Sequence, residues 1–202
     1  MERSLITLGR WPQSGSQPEP IQWLVLAEEE NALLCLSAAI LDCQPYHREG
    51  GPATWADCSL RRWLNQDFFF AAFSPEEQKR LLPTRLENPG RETEDRVFLL
   101  APPEDLPGFV PFQDPEDYYS FPEDRAMTTP YARSRGCWFV EEEGPEQYRG
   151  SWCIRYPRYL DDGETAPDYT SSVNFDGYIE AAAQDTGDLD GIRPAIRLFL
   201  PQ

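Results

Sequence analysis

Hydrophobic residues in this chain fall in short runs separated by polar, proline-rich connections. Ile21-Gln22-Trp23-Leu24-Val25-Leu26 and Ala32-Leu33-Leu34-Cys35-Leu36 flank the acidic turn Glu28-Glu29-Glu30-Asn31, a pattern that predicts a β-hairpin or the start of a meander. The period then changes. Leu60, Trp63, Leu64 and Phe68 recur at i, i+3, i+4 and i+8, one face of a helix, with Thr54 as its candidate cap. Ser74-Pro75-Glu76-Glu77 predicts a second helix. Ser74 can accept an orphan N–H, Pro75 fits the first helical position and Glu77 completes a capping box; the helix runs to Leu82 and stops near Pro83. Val97-Phe98-Leu99-Leu100 is apolar, brief and bounded by turn residues, the mark of a short buried strand.

From Ala101 to about Gly136 the chain is rich in Pro, Asp and Glu. Phe109, Phe112, Tyr118, Tyr119, Phe121 and Tyr131 are too many aromatics for a solvated linker, so an ordered irregular segment packed on a sheet is expected. The last fifty residues hold three strand-like runs, Trp152–Pro157, Val173–Ile179 and Gly191–Leu198. In the last, Ile196, Leu198 and Leu200 alternate with Arg197, the period of a half-buried strand. Pro194 cannot donate to a ladder and belongs at a strand start or bulge. Arg155 and Arg193 sit among apolar residues and prolines, where a guanidinium is held by carboxylates or carbonyl oxygens. The expected architecture is α+β, one domain over residues 1–202, with helices in the N-terminal half and a small antiparallel sheet with long ordered loops.

Charge narrows the partners. Eighteen basic against thirty-five acidic residues leave a net charge of −17, which argues against a nucleic-acid ligand because a phosphate backbone repels such a surface. Cys35, Cys43, Cys58, Cys137 and Cys153 form an odd set with no C-x-x-C pair, so metal-ligand spacing is missing and no cofactor is expected. Met1-Glu2-Arg3-Ser4-Leu5 opens no apolar run of signal-peptide length, and no stretch reaches the ~20 apolar residues of a membrane helix. Free thiols in a reducing, cytoplasmic setting, away from membranes, are the expectation.

Six blocks, taken in order, carry a resemblance: Ile21–Leu26, Thr54-Trp55-Ala56-Asp57-Cys58-Ser59-Leu60-Arg61-Arg62-Trp63-Leu64-Asn65, Ala72–Ser74, Val97–Leu100, Trp152–Pro157 and Gly191-Ile192-Arg193-Pro194-Ala195. Together they resemble an uncharacterised bacterial domain family, common in gut Firmicutes and their phages, whose members read T-W-x-x-C-S-L-R-x-W-L-N, W-W-L-R-S-P-G and G-V-R-P-A. Here Cys153 replaces the second Trp of the W-W block, Tyr156 the Ser and Arg158 the Gly. The closing blocks are similar, more loosely, to the C-type-lectin-like fold of formylglycine-generating enzymes and retroelement-diversified binding proteins. That likeness implies a displayed C-terminal surface, and one route to an enzyme in which Cys137 and Cys153 act as paired thiols.

The residues themselves offer little catalytic equipment. His47, the sole histidine, lies in a turn-like stretch, and G-x-S-x-G, H-E-x-x-H and phosphate-loop motifs are missing. No catalytic residue is therefore assigned, and Cys137 and Cys153 read more simply as buried structural thiols. Asp185, Asp188 and Asp190 are weak calcium candidates. With Gly191 at position six of an EF-hand loop, however, Thr186 takes position one and Arg197 the closing position, so no metal is assigned. Tyr156, Arg158, Tyr159, Tyr169, Asn174, Asp176 and Tyr178 supply the Tyr- and Arg-rich contact area typical of recognition surfaces. Trp63, Trp152, Arg155, Arg193 and Pro194 are expected to hold the fold. A non-enzymatic recognition module for a protein or glycan ligand follows. The alternative is a scaffold subunit of a larger phage or defence complex, docked through acidic loops such as Asp114–Asp117 and Glu141–Glu143.

Overall fold

A computed structural model describes residues 4–88, 90–101, 126–141, 148–159, 165–175 and 184–200, without the side chains of 156–159, 165–169 and 184. The chain opens with strands β1 (Leu5–Pro12), β2 (Pro18–Glu28) and β3 (Ala32–Ser37). β2 and β3 form the expected hairpin, its turn closed by the Glu29 N–H on the Ala32 carbonyl at 2.8 Å. Two short strands follow, β4 (Ala39–Ile40) and β5 (Asp42–Pro45). A helical stretch comprises α1 (Ser59–Trp63), one π-helical turn (Leu64–Phe68) and α2 (Phe69–Ala72); α3 (Pro75–Arg80) comes after it. Then come β6 (Thr84–Leu86), β7 (Thr93–Asp95), β8 (Val97–Phe98), β9 (Met127–Thr128), α4 (Pro130–Ser134), β10 (Val140–Glu141) and β11 (Tyr148–Arg149). The chain closes with β12 (Trp152–Tyr159), β13 (Thr165–Val173), β14 (Gln184–Asp185), β15 (Leu189–Ile192) and β16 (Ala195–Phe199).

The fold is thus mostly β, and the α+β expectation with helices filling the N-terminal half is overturned. The helical period at Leu60–Phe68 is real, but it covers one stretch. Residues 5–45, which carry no such period, hold five strands. The helix also starts later than Thr54. That residue heads a turn, its carbonyl accepting from the N–H groups of Asp57 and Cys58, and Cys58 is the cap, its Sγ accepting from the Arg61 N–H at 3.4 Å. The expected capping box at Ser74 is present in both directions: Glu77 N–H to Ser74 Oγ, and Ser74 N–H to Glu77 Oε2 at 2.8 Å. The segment 102–125, expected to pack on a sheet, lies outside the described residues.

Two distant segments form the spine. β3 pairs antiparallel with β16, and β5 pairs antiparallel with β15, so residues 32–45 run alongside 189–199 across two sheets. One sheet has the order β1-β2-β3-β16-β8, and the other β14-β13-β12-β15-β5. Between them the spine bends, held by the Ser37 N–H on the Pro194 carbonyl and the Leu41 N–H on the Ile192 carbonyl, both at 2.9 Å. Pro194 stands where β15 gives way to β16, a position at which the chain leaves one ladder for another and needs no donor. Gly191 lies where β12 runs parallel to β15. A Cβ there would come within 2.2 Å of the Ser151 carbonyl oxygen, so the close approach demands glycine.

The helical stretch is bolted to the β6–β7 hairpin by a buried carboxylate. Asp95 accepts from the Trp55 indole N–H at 2.9 Å, the Arg61 Nε–H at 2.7 Å and the Thr93 hydroxyl at 2.8 Å. Asn65 adds a second bolt: its amide donates to the Val97 carbonyl at 2.8 Å and its Oδ1 accepts from the Arg96 and Val97 N–H groups. Leu60, Leu64 and Phe68 face the core, while half-buried Trp63 packs edge-on against Trp11 at 5.8 Å between centroids. The polar and aromatic positions of the T-W-x-x-C-S-L-R-x-W-L-N stretch are therefore occupied in holding this element down.

Candidate functional site

The C-terminal arginines are internal. Arg155 is fully buried, donating to the carbonyls of Leu99 and Glu87 and to Asn88 Oδ1. Arg193 is 1% exposed; its Nε–H meets the Ser37 carbonyl at 2.9 Å at the bend of the spine, and its guanidinium lies 5.1 Å from the Trp152 ring. Trp152 is itself fully buried. Of the expected contact residues, Tyr156, Arg158, Tyr159 and Tyr169 occupy β12 and β13, but their side chains lie outside the described set, as do Asp176 and Tyr178 entirely. Asn174 is half-buried just after β13.

The described surface shows a different open face, on the small sheet β10-β11-β9-β4. Trp138 and Phe139 are 56% and 40% exposed. Trp138 packs against Phe175 with centroids 5.5 Å apart, and Phe139 meets Tyr148 edge-on at 5.4 Å. Arg133, from α4, lays its guanidinium 3.6 Å from the Tyr148 ring centroid and 5.4 Å from that of Phe139, within cation–π range. Beside this shelf Ala39, Met127, Thr128, Thr129, Pro130, Arg133 and Tyr148 line a pocket of about 320 Å³. α4 begins at Pro130 under a Thr129 cap whose hydroxyl accepts the Ala132 N–H, which fixes where Arg133 emerges. Gly150 lets the β11 end approach: a Cβ there would lie 2.4 Å from Thr128 Oγ1.

Neither Arg133 Nε nor Thr128 Oγ1 has a hydrogen-bond partner among the described residues, although both atoms are shielded from solvent. Such groups carry a free-energy cost that a ligand can remove. These residues carry no signal in the sequence because β9, β10 and β11 are two-residue strands with no measurable period. The adjacent pair Trp138-Phe139 was the one signal available.

Cys137 lies beside Cys43, and its Sγ donates to the Asp42 carbonyl at 3.4 Å. That thiol contact and burial push Cys137 up, and burial pushes Cys153 up and both Cys35 and Cys58 to about 12. All five cysteines are buried and unbridged. Burial also raises Asp42, against the Cys43 N–H and Arg135, which lower it.

The three aspartates considered for calcium do not converge. Asp190 is buried, accepting from the Ser172 hydroxyl and the Gly191 N–H, whereas Asp185 caps its own turn through the Gly187 N–H at 2.9 Å and Asp188 is exposed. Among the described residues no group of three or more His, Cys, Asp or Glu is placed to share a metal ion. His47 lies 3.5 Å from Glu49, and no helix among the described residues is long and apolar enough to cross a membrane.

An arginine stacked on exposed aromatics over a pocket, set on a mostly β scaffold whose arginine struts point inward, is the geometry against which relatives can be judged. A family model described as a domain of unknown function (DUF6273) matches residues 30–200, and the chain belongs to that family. No curated protein and no solved structure matches the chain.

Proposed function

We propose that this protein is a non-enzymatic recognition module that presents an aromatic and arginine surface to a protein or glycan ligand. The observation that carries the reading is Arg133 stacked over Phe139 and the half-buried Tyr148 beside a pocket, with Phe139 and its neighbour Trp138 exposed, because large exposed aromatics beside a pocket are the usual mark of a contact site. Tyr156, Arg158, Tyr159 and Tyr169 of β12 and β13, with Asn174, Asp176 and Tyr178 that follow in sequence, are proposed as a second part of that surface. Support for a binding rather than a catalytic role comes from Cys58 and Cys153, whose thiols burial pushes up and so makes poor nucleophiles near neutral pH. Five unbridged cysteines suit a reducing, cytoplasmic setting. A net charge of −17 disfavours nucleic acid and anionic membrane surfaces as partners.

The test is a glycan array and a native pull-down run with the wild type, with Trp138→Ala/Phe139→Ala and with Tyr156→Ala/Tyr159→Ala/Tyr178→Ala. The expected result is a saturable ligand lost in at least the first variant, with the melting temperature unchanged. A partner retained by both variants would instead mark an acidic scaffold. Unfolding of the tyrosine variant would remove β12–β13 from the contact surface.

A further inference from the structure

We infer that the pocket beside this shelf is a seat for a carboxylate group, so that the ligand of the recognition module, on which this inference rests, is a carboxylate-bearing molecule. Arg133 is the determinant. Tyr148 covers one face of its guanidinium at 3.6 Å, which leaves the planar edges to make hydrogen bonds. Its Nε–H is shielded from solvent and unpartnered among the described residues, and no described carboxylate pairs with it. The Nε and neighbouring Nη protons of one guanidinium edge are parallel donors, spaced to match the two oxygens of a carboxylate.

Thr128 supplies the second requirement. It is 3% exposed, its hydroxyl is unpartnered among the described residues, and it lines the same pocket. A hydroxyl can donate to the oxygen lone pairs that the guanidinium edge leaves unused. A neutral ligand would leave the cation uncompensated. A phosphate would bring up to two negative charges to a chain that already carries −17. The pocket, about 320 Å³, lies at the small end of ligand cavities, which run from roughly 300 Å³, and so takes one sugar ring or one amino-acid residue. The acid can belong to either source, a uronic-type sugar or an acidic side chain of a peptide.

The experiment follows the Arg133 Nε–H resonance by NMR, identified by its disappearance in Arg133→Lys. The protein is titrated with sodium D-glucuronate, D-glucose, N-acetyl-L-aspartate N-methylamide and inorganic phosphate. Either carboxylate should shift the resonance saturably, the responding one naming the source, while glucose and phosphate leave it in place. Thr128→Val should weaken the effect about tenfold, the loss of one hydrogen bond to a charged group. A glucose or phosphate response equal to that of the carboxylates would overturn the assignment, as would no response to either carboxylate. If that happens while Trp138→Ala/Phe139→Ala still abolishes ligand capture, only the carboxylate falls and the recognition module stands. If capture never depends on the shelf, the module itself falls.

Discussion

Two arginines, each placed with an aromatic residue and a threonine, have opposite fates in this molecule. Arg61 reaches Asp95, which also takes the Trp55 indole and the Thr93 hydroxyl, so the cluster is internally complete. Arg133 lies over Tyr148 beside Thr128, and there the guanidinium Nε and the hydroxyl are left without partners among the described residues. The residue types are nearly the same, so composition cannot distinguish a strut from a binding site. What separates them is whether the donors are satisfied from within the chain. A completed cluster holds the fold, and an open one is available to a ligand.

The comparison can be broken first at the closed cluster. Asp95→Ala should cost about 3–5 kcal/mol, because it strands the half-buried Arg61 guanidinium and the buried Trp55 N–H, and urea unfolding should show it as a large fall in midpoint. A loss below about 1 kcal/mol would mean that the carboxylate is replaceable by water and that the cluster is not a bolt. Gly191→Ala, where a Cβ would meet the Ser151 carbonyl at 2.2 Å, should cost about 3 kcal/mol by forcing β12 off β15; near-neutral behaviour in thermal melts would show that the spine can spread there.

Glu77 gives a smaller and pH-dependent effect. Burial raises its pKa, but hydrogen bonds from the Gly9 N–H and from the Ser74 hydroxyl and N–H outweigh this and leave it lowered. A carboxyl held low in the fold stabilises it above the unfolded value of about 4.3 and loses that contribution as pH falls through its folded value. Glu77→Gln should therefore cost about 1–2 kcal/mol at pH 7, and the deficit should shrink below about pH 4. A deficit independent of pH would assign the loss to geometry and not to charge. Smallest of all, Trp138→Ala should change stability by at most about 0.5 kcal/mol, since the ring is mostly exposed; a loss of several kcal/mol would make the shelf part of the core.

Local features of the fold were legible, and non-local ones were not. The β2–β3 hairpin and the Ser74–Glu77 box are each written within a short local stretch, and both occur as read. The alternation at Ile196 and Leu198 was likewise visible and marks a strand with both residues buried. The β-rich character of the first half was not legible in Leu5–Pro12, which pairs with the neighbouring β2, or in Asp42–Pro45, which pairs with β15 about 145 residues away. Neither strand buries a single alternating face, so neither carries a period of two. Asp95, in Thr93-Glu94-Asp95-Arg96, resembles any acidic turn until the structure lays Trp55 and Arg61 against it. The pocket was hidden for a related reason: it is built from two-residue strands and one helical turn. Arg155 and Arg193, by contrast, stood out as charges among apolar neighbours, and carbonyl oxygens hold both.

The central claim is that satisfaction of donors divides struts from binding groups, and the most direct test is one urea titration of Arg61→Gln beside Arg133→Gln. Arg61→Gln leaves Asp95 buried without its cation and should lose about 3 kcal/mol, whereas Arg133→Gln gives up only a surface stacking contact and should lose at most about 1 kcal/mol. Equal losses, or a larger loss for Arg133→Gln, would contradict the account and make Arg133 one more strut.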